Sequence, residues 1–300
     1  MTFIVSIQIT MSKATLTDVA PAVKKGMQTV DDLLIRSKNT ASITSLKPLA
    51  RSLLFAELSM IAYLPEDEVR KAAEQLNFHT VLYYDFDGSQ AYSFINEHDH
   101  VIACRGTEPS EWNDLRADLD AATAVAETIG RVHRGFKREV DDIWPVLEGS
   151  LLSNDKTLWF TGHSLGGAMA TICAGRCMLS HIKSNPAQIY TFGSPRVGNK
   201  RYINFVKVDH IRWVNNNDIV TRVPPAWLGY RHTGQEHYLN ANGRLKQLNL
   251  IERRKDAWNG FISGLKNRSI DHFEDHLIDR YVDYIYLEAA NAGDLDMETK

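Results

Sequence analysis

The chain has few cysteines, with only three among 300 residues. A count that is both small and odd does not suit a disulfide framework, so Cys104, Cys173 and Cys177 are predicted to be small core residues. Long apolar runs are also absent, and no segment approaches the ~20 residues that a helix needs to cross a bilayer. The sequence therefore predicts no transmembrane segment.

The chain also lacks a strong charge of either sign. It has 34 Lys and Arg against 37 Asp and Glu, for a formal net charge of −3. That balance produces no field that would gather nucleic acid, so no nucleic-acid partner is expected. The length and the 44% hydrophobic content are sufficient for one large core.

The first ten residues do not form a convincing leader. They are apolar, but no positive charge precedes the apolar stretch and polar residues interrupt it. Cellular location is therefore left open, with the cytoplasm slightly favoured over secretion, and Met11 is an alternative start. Residues 1–47 are predicted to be a helical extension, because the apolar residues from Val19 to Val30 recur at helical spacing.

Residues 48–290 show the pattern of an α/β domain, and residues 291–300 are predicted to be a polar tail. Apolar, strand-like runs alternate with helical patterns. This alternation predicts a mostly parallel sheet with helices on both faces. The predicted elements are a hairpin at 81–95, a strand at 101–104, a helix at 135–147, strands at 157–161, 188–192 and 210–214, an extended strand at 230–238 and a final helix at 273–290. Residues 98–100 are interpreted as a polar turn.

The sequence G-H-S-L-G-G at residues 162–167 follows one of these strands and precedes an apolar helix. Gly162 and Gly166 flank Ser164 in G-x-S-x-G spacing, which permits a sharp turn with the serine hydroxyl at its tip. The free N–H groups at the start of the following helix favour the negative charge of an acyl-transfer intermediate. Ser164 is thus predicted to be a nucleophile.

A nucleophilic serine needs a histidine base and an acid that orients it. Asp218 follows the strand at 210–214, at the expected carboxyl edge of the sheet, whereas Asp209 lies at the opposite end of that strand. Asp218 is therefore the preferred acid. The residue pattern alone does not decide which histidine is the base, since four follow Asp218: His232, His237, His272 and His276.

His272 and His276 also have the i, i+4 spacing of zinc ligands. In the H-E-x-x-H helix a glutamate follows the first histidine directly, and here Phe273 takes that place. A metal site is therefore not predicted.

Several further motifs accompany the G-H-S-L-G-G sequence: Y-T-F-G-S-P-R-V-G-N at 190–199, V-H-R-G-F at 132–136, R-G-T at 105–107, N-D-I-V at 217–220 and G-Y-R-H-T-G at 229–234. Together these motifs resemble those of the class 3 lipase family of α/β-hydrolases. The resemblance covers about residues 48–287. In that family an aspartate precedes the catalytic histidine and a tyrosine follows five residues later. Asp275 and Tyr281 match this pattern around His276, so the resemblance selects His276 as the base.

The resemblance also implies an oxyanion hole. Its donors would be the N–H of Leu165, after the nucleophile, and Thr107, whose backbone N–H and hydroxyl are both candidate donors. The family's lid follows Thr107, but residues 108–115 are charged here, which departs from a strongly apolar lid. Residues 121–129 are instead predicted to line the acyl pocket or form a mobile cover, with an Ala-rich helix as the alternative.

The expected function is that of a serine carboxylester hydrolase, a lipase or esterase that cleaves acylglycerols and simple acyl esters. No cofactor is implied, and the expected partners are a lipid or small ester substrate and, transiently, a lipid–water interface. Phospholipase A1 or feruloyl esterase activity on the same triad is the nearer alternative. A non-catalytic lipid-binding protein is the more distant one, because a binding protein has no need of all three triad groups.

Overall fold

The structure is a computed structural model that describes residues 29–38, 41–106, 123–127, 129–246 and 274–295. Within these residues the α-helices are α1 (Pro48–Ile61), α2 (Glu66–Gln75), α3 (Arg134–Leu151), α4 (Leu165–Cys177), α5 (Lys200–Phe205) and α6 (Ile278–Ala292). Short 3₁₀ helices at Val220–Arg222 and Glu274–His276 lie beside the candidate site. None of the described helices is long and apolar enough to cross a membrane.

Eight strands form the central sheet. In spatial order they are β1 (Thr80–Phe86), β2 (Ser89–Ile95), β3 (Asp99–Cys104), β6 (Thr157–His163), β7 (Pro186–Phe192), β9 (His210–Asn215), β11 (Gln235–Leu239) and β12 (Leu245–Lys246). A second, four-stranded sheet contains β4 (Thr123–Val125), β5 (Arg131–His133), β8 (Gly198–Asn199) and β10 (Tyr230–Arg231).

The middle of the large sheet is parallel, as the sequence predicts. Strands β3, β6, β7, β9 and β11 pair in parallel, whereas β1 and β2 form the predicted antiparallel hairpin and β12 pairs antiparallel with β11. The carboxyl ends of parallel strands meet at one edge of a sheet. The segments that follow β3, β6, β7 and β9 therefore lie near one another.

Two hydrophobic cores lie on the two faces of this sheet, because successive strand residues point to opposite faces. On β6, Trp159 belongs to the core beneath α1 and α6, and Phe160 belongs to the core beneath α3 and α4. All three cysteines are free and buried, as expected. The predicted α/β-hydrolase architecture, a mostly parallel sheet between two layers of helices, is confirmed.

The described residues before 48 pack on the domain. Ile43 is fully buried and its N–H donates to Oδ2 of Asp99. The N–H of Val30 donates to Oε2 of Glu68. Residues 30–32 and 43–45 form 3₁₀ turns, while most of the helix predicted between Val19 and Val30 lies outside the described residues. The domain boundary at residue 47 stays a prediction.

Two local predictions are wrong, and one alternative is excluded. Residues 98–100 are not a turn, since Asp99 and His100 are buried in β3 and Asp99 accepts a hydrogen bond from the indole N–H of Trp159. Residues 230–238 are divided between two sheets, because β10 and β11 are separated at Gly234, which has φ +73°. An Ala-rich helix over 121–129 is excluded, because Thr123–Val125 pairs with β5 as a strand.

Candidate active site

Ser164 lies at the turn between β6 and α4 in a strained backbone conformation. Its φ is 56° and its ψ is −131°, outside the regions that residues with a side chain normally occupy. Such strain costs about 1–3 kcal/mol and persists only where the surroundings impose it. Two backbone bonds fix the turn here: the N–H of Ser164 donates to the carbonyl of Phe192, and its carbonyl accepts from the N–H of Gly167, each at 3.0 Å.

The two glycines of the motif are required by close packing. A Cβ at Gly162 would collide with the carbonyl group of Gly166, and a Cβ at Gly166 would collide with the carbonyl group of Cys104. The start of α4 therefore lies directly against β6 and β3. That close approach holds the serine at the carboxyl edge of the sheet.

The three residues predicted to form a triad are connected by two hydrogen bonds, with His276 between Ser164 and Asp218. Nε2 of His276 lies 2.8 Å from Oγ of Ser164, and Nδ1 of His276 lies 2.9 Å from Oδ2 of Asp218. All three side chains are buried. A carboxylate can only accept, so Nδ1 carries a proton and Nε2 of the neutral ring is free to accept the serine proton.

The loop after β9 holds the carboxylate of Asp218 in place. Its Oδ1 accepts from the N–H of Val220 at 2.9 Å, and its backbone carbonyl accepts from the hydroxyl of Thr221 at 2.8 Å. Its other oxygen, Oδ2, accepts a 2.6 Å hydrogen bond from the hydroxyl of Tyr281 as well as the bond from His276. Both oxygens of this fully buried carboxylate are thus satisfied.

His276 is supplied by the 3₁₀ turn that precedes α6, and Asp275 ties that turn to the loop after β9. Oδ2 of Asp275 accepts from the side-chain amide of Asn216 at 3.1 Å and from the N–H of Asn217 at 3.2 Å. The Asp275 carbonyl accepts from the side-chain amide of Asn215 at 2.9 Å. His276 and Asp218 are therefore linked by contacts between their neighbouring residues as well as by the hydrogen bond between their own side chains.

His163, directly before Ser164, is a second buried histidine at the site. Its Nε2 lies 2.6 Å from the carbonyl oxygen of His276, and its Nδ1 lies 2.9 Å from the hydroxyl of Tyr63. Burial, and next the neighbouring His276, lower the pKa of His163 well below the usual value. The ring is accordingly neutral, so Nε2–H donates to the His276 carbonyl and Nδ1 accepts from Tyr63. His163 thus holds the backbone at His276 in place.

Sequence reasoning did not find Tyr63, His163 or Asn215 as parts of this site. For His163 the available signal was its place beside the serine, but nothing in the local pattern shows that its ring reaches the turn 113 residues later. Tyr63 follows the end of α1 and has no motif around it. Contacts of this kind arise only when distant segments pack together.

Of the remaining predicted site residues, Leu165 is among the described residues, whereas Thr107 and His272 are not. Leu165 is the buried first residue of α4, and its backbone N–H is one of those that a helix start leaves without an internal partner. Thr107, His272 and residues 108–115 lie outside the described residues. Across the described residues no group of three or more His, Cys, Asp or Glu side chains could hold a metal ion.

A serine at a strand-to-helix turn, bonded through histidine to a carboxylate beyond a later strand, is the arrangement found in α/β-hydrolases. A family profile described as "Lipase (class 3)" matches residues 101–227. These findings confirm, over residues 101–227, the resemblance to the class 3 lipase family expected from the motifs.

Individual relatives show the same likeness. The chain is 44% identical over 134 residues to a secreted mono- and diacylglycerol lipase from Fusarium solani, covering 43% of this chain and 32% of that protein. It is 34% identical over 122 residues to a lipase from Rhizomucor miehei, covering 37% and 34% of the two chains. The matched region thus spans about a third of the length of these curated relatives.

A solved structure extends the likeness to three dimensions. It is described as a triacylglycerol lipase with a serine protease triad as its catalytic centre. The two chains are 27% identical with a TM-score of 0.54, over 65% of this chain and 81% of the other.

Proposed function

We propose that this protein is a serine carboxylester hydrolase that cleaves acylglycerols and simple acyl esters through an acyl-enzyme on Ser164. The observation that carries the proposal is the continuous chain of hydrogen bonds from Ser164 through His276 to Asp218. The names of the relatives, which describe lipases of acylglycerols, support the substrate class.

In the proposed acylation step, Oγ of Ser164 attacks the ester carbonyl while Nε2 of His276 takes its proton. Asp218 holds the ring with Nδ1–H directed at Oδ2 and stabilises the imidazolium that forms. The imidazolium then protonates the leaving alcohol. Water deacylates the serine by the same steps in reverse, with His276 again acting first as base.

The negative oxygen of the tetrahedral intermediate needs hydrogen-bond donors. The N–H of Leu165 at the start of α4 is one proposed donor, reinforced by the positive end of the helix dipole. Thr107 is the second, on the basis of the sequence resemblance. It follows Gly106, the last described residue after β3, and β3 is hydrogen-bonded to β6.

Transient contact with a lipid–water interface is also part of this proposal. The sequence leaves the location open and only slightly favours the cytoplasm. Two of the relatives are named as secreted lipases, which supports export instead.

A series of p-nitrophenyl esters of increasing acyl length tests the proposal. We expect the wild-type chain to release p-nitrophenol, with a preferred chain length, and Ser164→Ala to lower kcat by a factor of about 10⁴–10⁶. Ser194→Ala is the matched control, since Ser194 is another buried serine near the same edge of the sheet. Near-wild-type turnover in Ser164→Ala would refute the proposed nucleophile, and no turnover by the wild-type chain would support the lipid-binding alternative.

A further inference from the structure

A short turn between β9 and β10 exposes four apolar residues in succession, at residues 226–229. Trp227 is 80% exposed and Leu228 is 51% exposed. No other large hydrophobic side chain in the described ranges is as exposed as Trp227. Because folding normally buries an indole of this size, its high exposure on a surface turn indicates a contact outside the chain.

The turn is held in one conformation by hydrogen bonds. Residues Ala226–Leu228 form a 3₁₀ helix that ends at Gly229, whose φ of +90° suits a residue without a side chain. Nη1 of Arg231 donates to the carbonyls of Ala226 at 2.6 Å and Tyr230 at 2.7 Å. The fold therefore presents Trp227 in a fixed arrangement.

The turn is connected to the same edge of the sheet as the triad. Arg196, in the segment after β7, donates its backbone N–H to the carbonyl of Val223 at 2.7 Å. Its guanidinium also bonds the carbonyls of Arg222 and Pro224. Since Asp218 lies only a few residues before Arg222, one stretch of chain connects the triad acid to the exposed turn.

Two arginines flank this turn. Arg222 ends the 3₁₀ helix before it and Arg231 lies in β10 after it. Arg212 and Arg196 are engaged within the fold: Nη2 of Arg212 pairs with Oε2 of Glu236 at 2.8 Å, and the Arg196 guanidinium bonds the carbonyls of Arg222 and Pro224. Arg222 and Arg231 thus place positive charge beside the turn, in a chain whose total formal charge is −3. Arg231 is exposed beside the apolar turn.

We propose that residues 226–229, together with the guanidinium groups of Arg222 and Arg231, form a docking surface for an anionic lipid surface. The inference rests on the proposed function, since an enzyme of lipid esters meets its substrate in aggregates. Trp227 and Leu228 enter the boundary between headgroups and acyl chains, where aromatic residues are favoured. The two arginines face the lipid phosphates.

Vesicle sedimentation with the full chain carrying Ser164→Ala tests the docking surface without turnover. Vesicles of phosphatidylcholine alone are compared with vesicles that also contain phosphatidylglycerol. We expect tighter binding to the anionic vesicles, weakened by high salt, and about tenfold weaker binding on adding Trp227→Ala. Arg231→Gln should lose the preference for anionic vesicles, and Arg231→Lys should restore it.

Two exposed residues elsewhere provide matched controls. Phe86 is 57% exposed at the tip of the β1–β2 hairpin, and the Arg138 side chain is 77% exposed on α3. Phe86→Ala and Arg138→Gln should leave vesicle binding unchanged.

Unchanged binding in Trp227→Ala, or an equal loss in Phe86→Ala, would overturn the assignment. A loss of self-association in Trp227→Ala with unchanged vesicle binding would instead identify a contact between copies of the chain. Failure of the proposed function would show separately, as a wild-type chain that does not hydrolyse dissolved esters.

Discussion

The hydroxyl of Tyr281 donates a 2.6 Å hydrogen bond to Oδ2 of Asp218, the same oxygen that accepts from His276. The Tyr281 oxygen itself accepts from the backbone N–H of Asn215 at 3.0 Å. Burial, and then the charge of Asp218, raise the pKa of Tyr281 well above its usual value, so the hydroxyl keeps its proton and remains a donor. Helix α6 therefore holds Asp218, the acid of the proposed triad, in position through Tyr281. The same helix begins directly after the 3₁₀ turn that carries His276, the proposed base.

Tyr281→Phe removes this donor without changing the shape of the ring. We expect kcat/KM to fall about tenfold, because a hydrogen bond to a charged group contributes about 1.5–3 kcal/mol. Tyr284→Phe, on the same helix but outside the site, is the control and should retain full activity. Wild-type kcat/KM in Tyr281→Phe would show that the remaining bonds of Asp218 are sufficient.

Substitution of the two neighbouring histidines should have unequal effects. His276→Ala should lower kcat about as severely as Ser164→Ala, by a factor on the order of 10⁴ or more, because the serine loses its base. His272→Ala should be much milder. Steady-state kinetics on a dissolved ester measure both, and the reverse order would transfer the role of base to His272.

Thr107→Ala tests the hydroxyl of the proposed oxyanion donor, since its backbone N–H survives the substitution. If the hydroxyl donates, kcat should fall by up to about 10²-fold, corresponding to ~3 kcal/mol, with KM unchanged. Thr80→Ala, at the exposed start of β1, is the control. An unchanged kcat would assign the oxyanion contact to the N–H alone.

A side chain at Gly193 should disrupt the triad directly. This glycine has φ +60°, and a Cβ there would lie 2.7 Å from Oδ2 of Asp218 and 2.9 Å from Nδ1 of His276. We expect Gly193→Ala to lower kcat at least a hundredfold, with loss of correct histidine orientation as the cause. Gly149→Ala, where no atom lies within 4 Å of the new Cβ, should keep activity and stabilise α3 by about 0.5–1 kcal/mol.

Buried Glu57 should make the fold less stable as pH rises towards neutrality. Its carboxyl accepts from the N–H groups of Arg36 and Ser37, and burial raises its pKa from 4.5 to about 7. A raised carboxyl pKa means that the folded chain holds a proton the unfolded chain has released. The stabilisation of the folded chain by this bound proton is fully present below pH 4.5, and it is lost as pH rises through about 7.

Glu57→Gln mimics the protonated acid, so it should flatten the fall in Tm between pH 5 and 8. The exposed Asp155 is a suitable control. Its pKa is lowered, first by the hydrogen bond from Lys156, so Asp155→Asn should leave the slope in this range unchanged. A wild-type slope in Glu57→Gln would show that other groups cause the pH dependence.

The periodicity of apolar residues and the residue types at turns are sufficient to predict most of the fold. The hairpin around residues 87–88, the parallel strands and the final helix follow from local patterns that nearby residues determine. The prediction of a turn at His100 is wrong because its polar neighbours, His98 and Asp99, suggest a turn where the structure has a strand. In the structure its Nε2 lies 2.8 Å from Oγ of Ser93, so the polar groups are satisfied within a buried strand.

By itself the sequence determined the strand–turn–helix around Ser164, because an apolar strand pattern precedes the motif, a helical pattern follows it, and Gly162 and Gly166 allow the close backbone packing of the turn. It also indicated Asp218 from its place after a strand, and the resemblance selected His276. Only the tertiary structure decided that Tyr281, His163 and Asp275 hold those groups in position. Their partners lie 58 to 113 residues away, and hydrogen bonds over such separations depend on how the sheet and α6 pack.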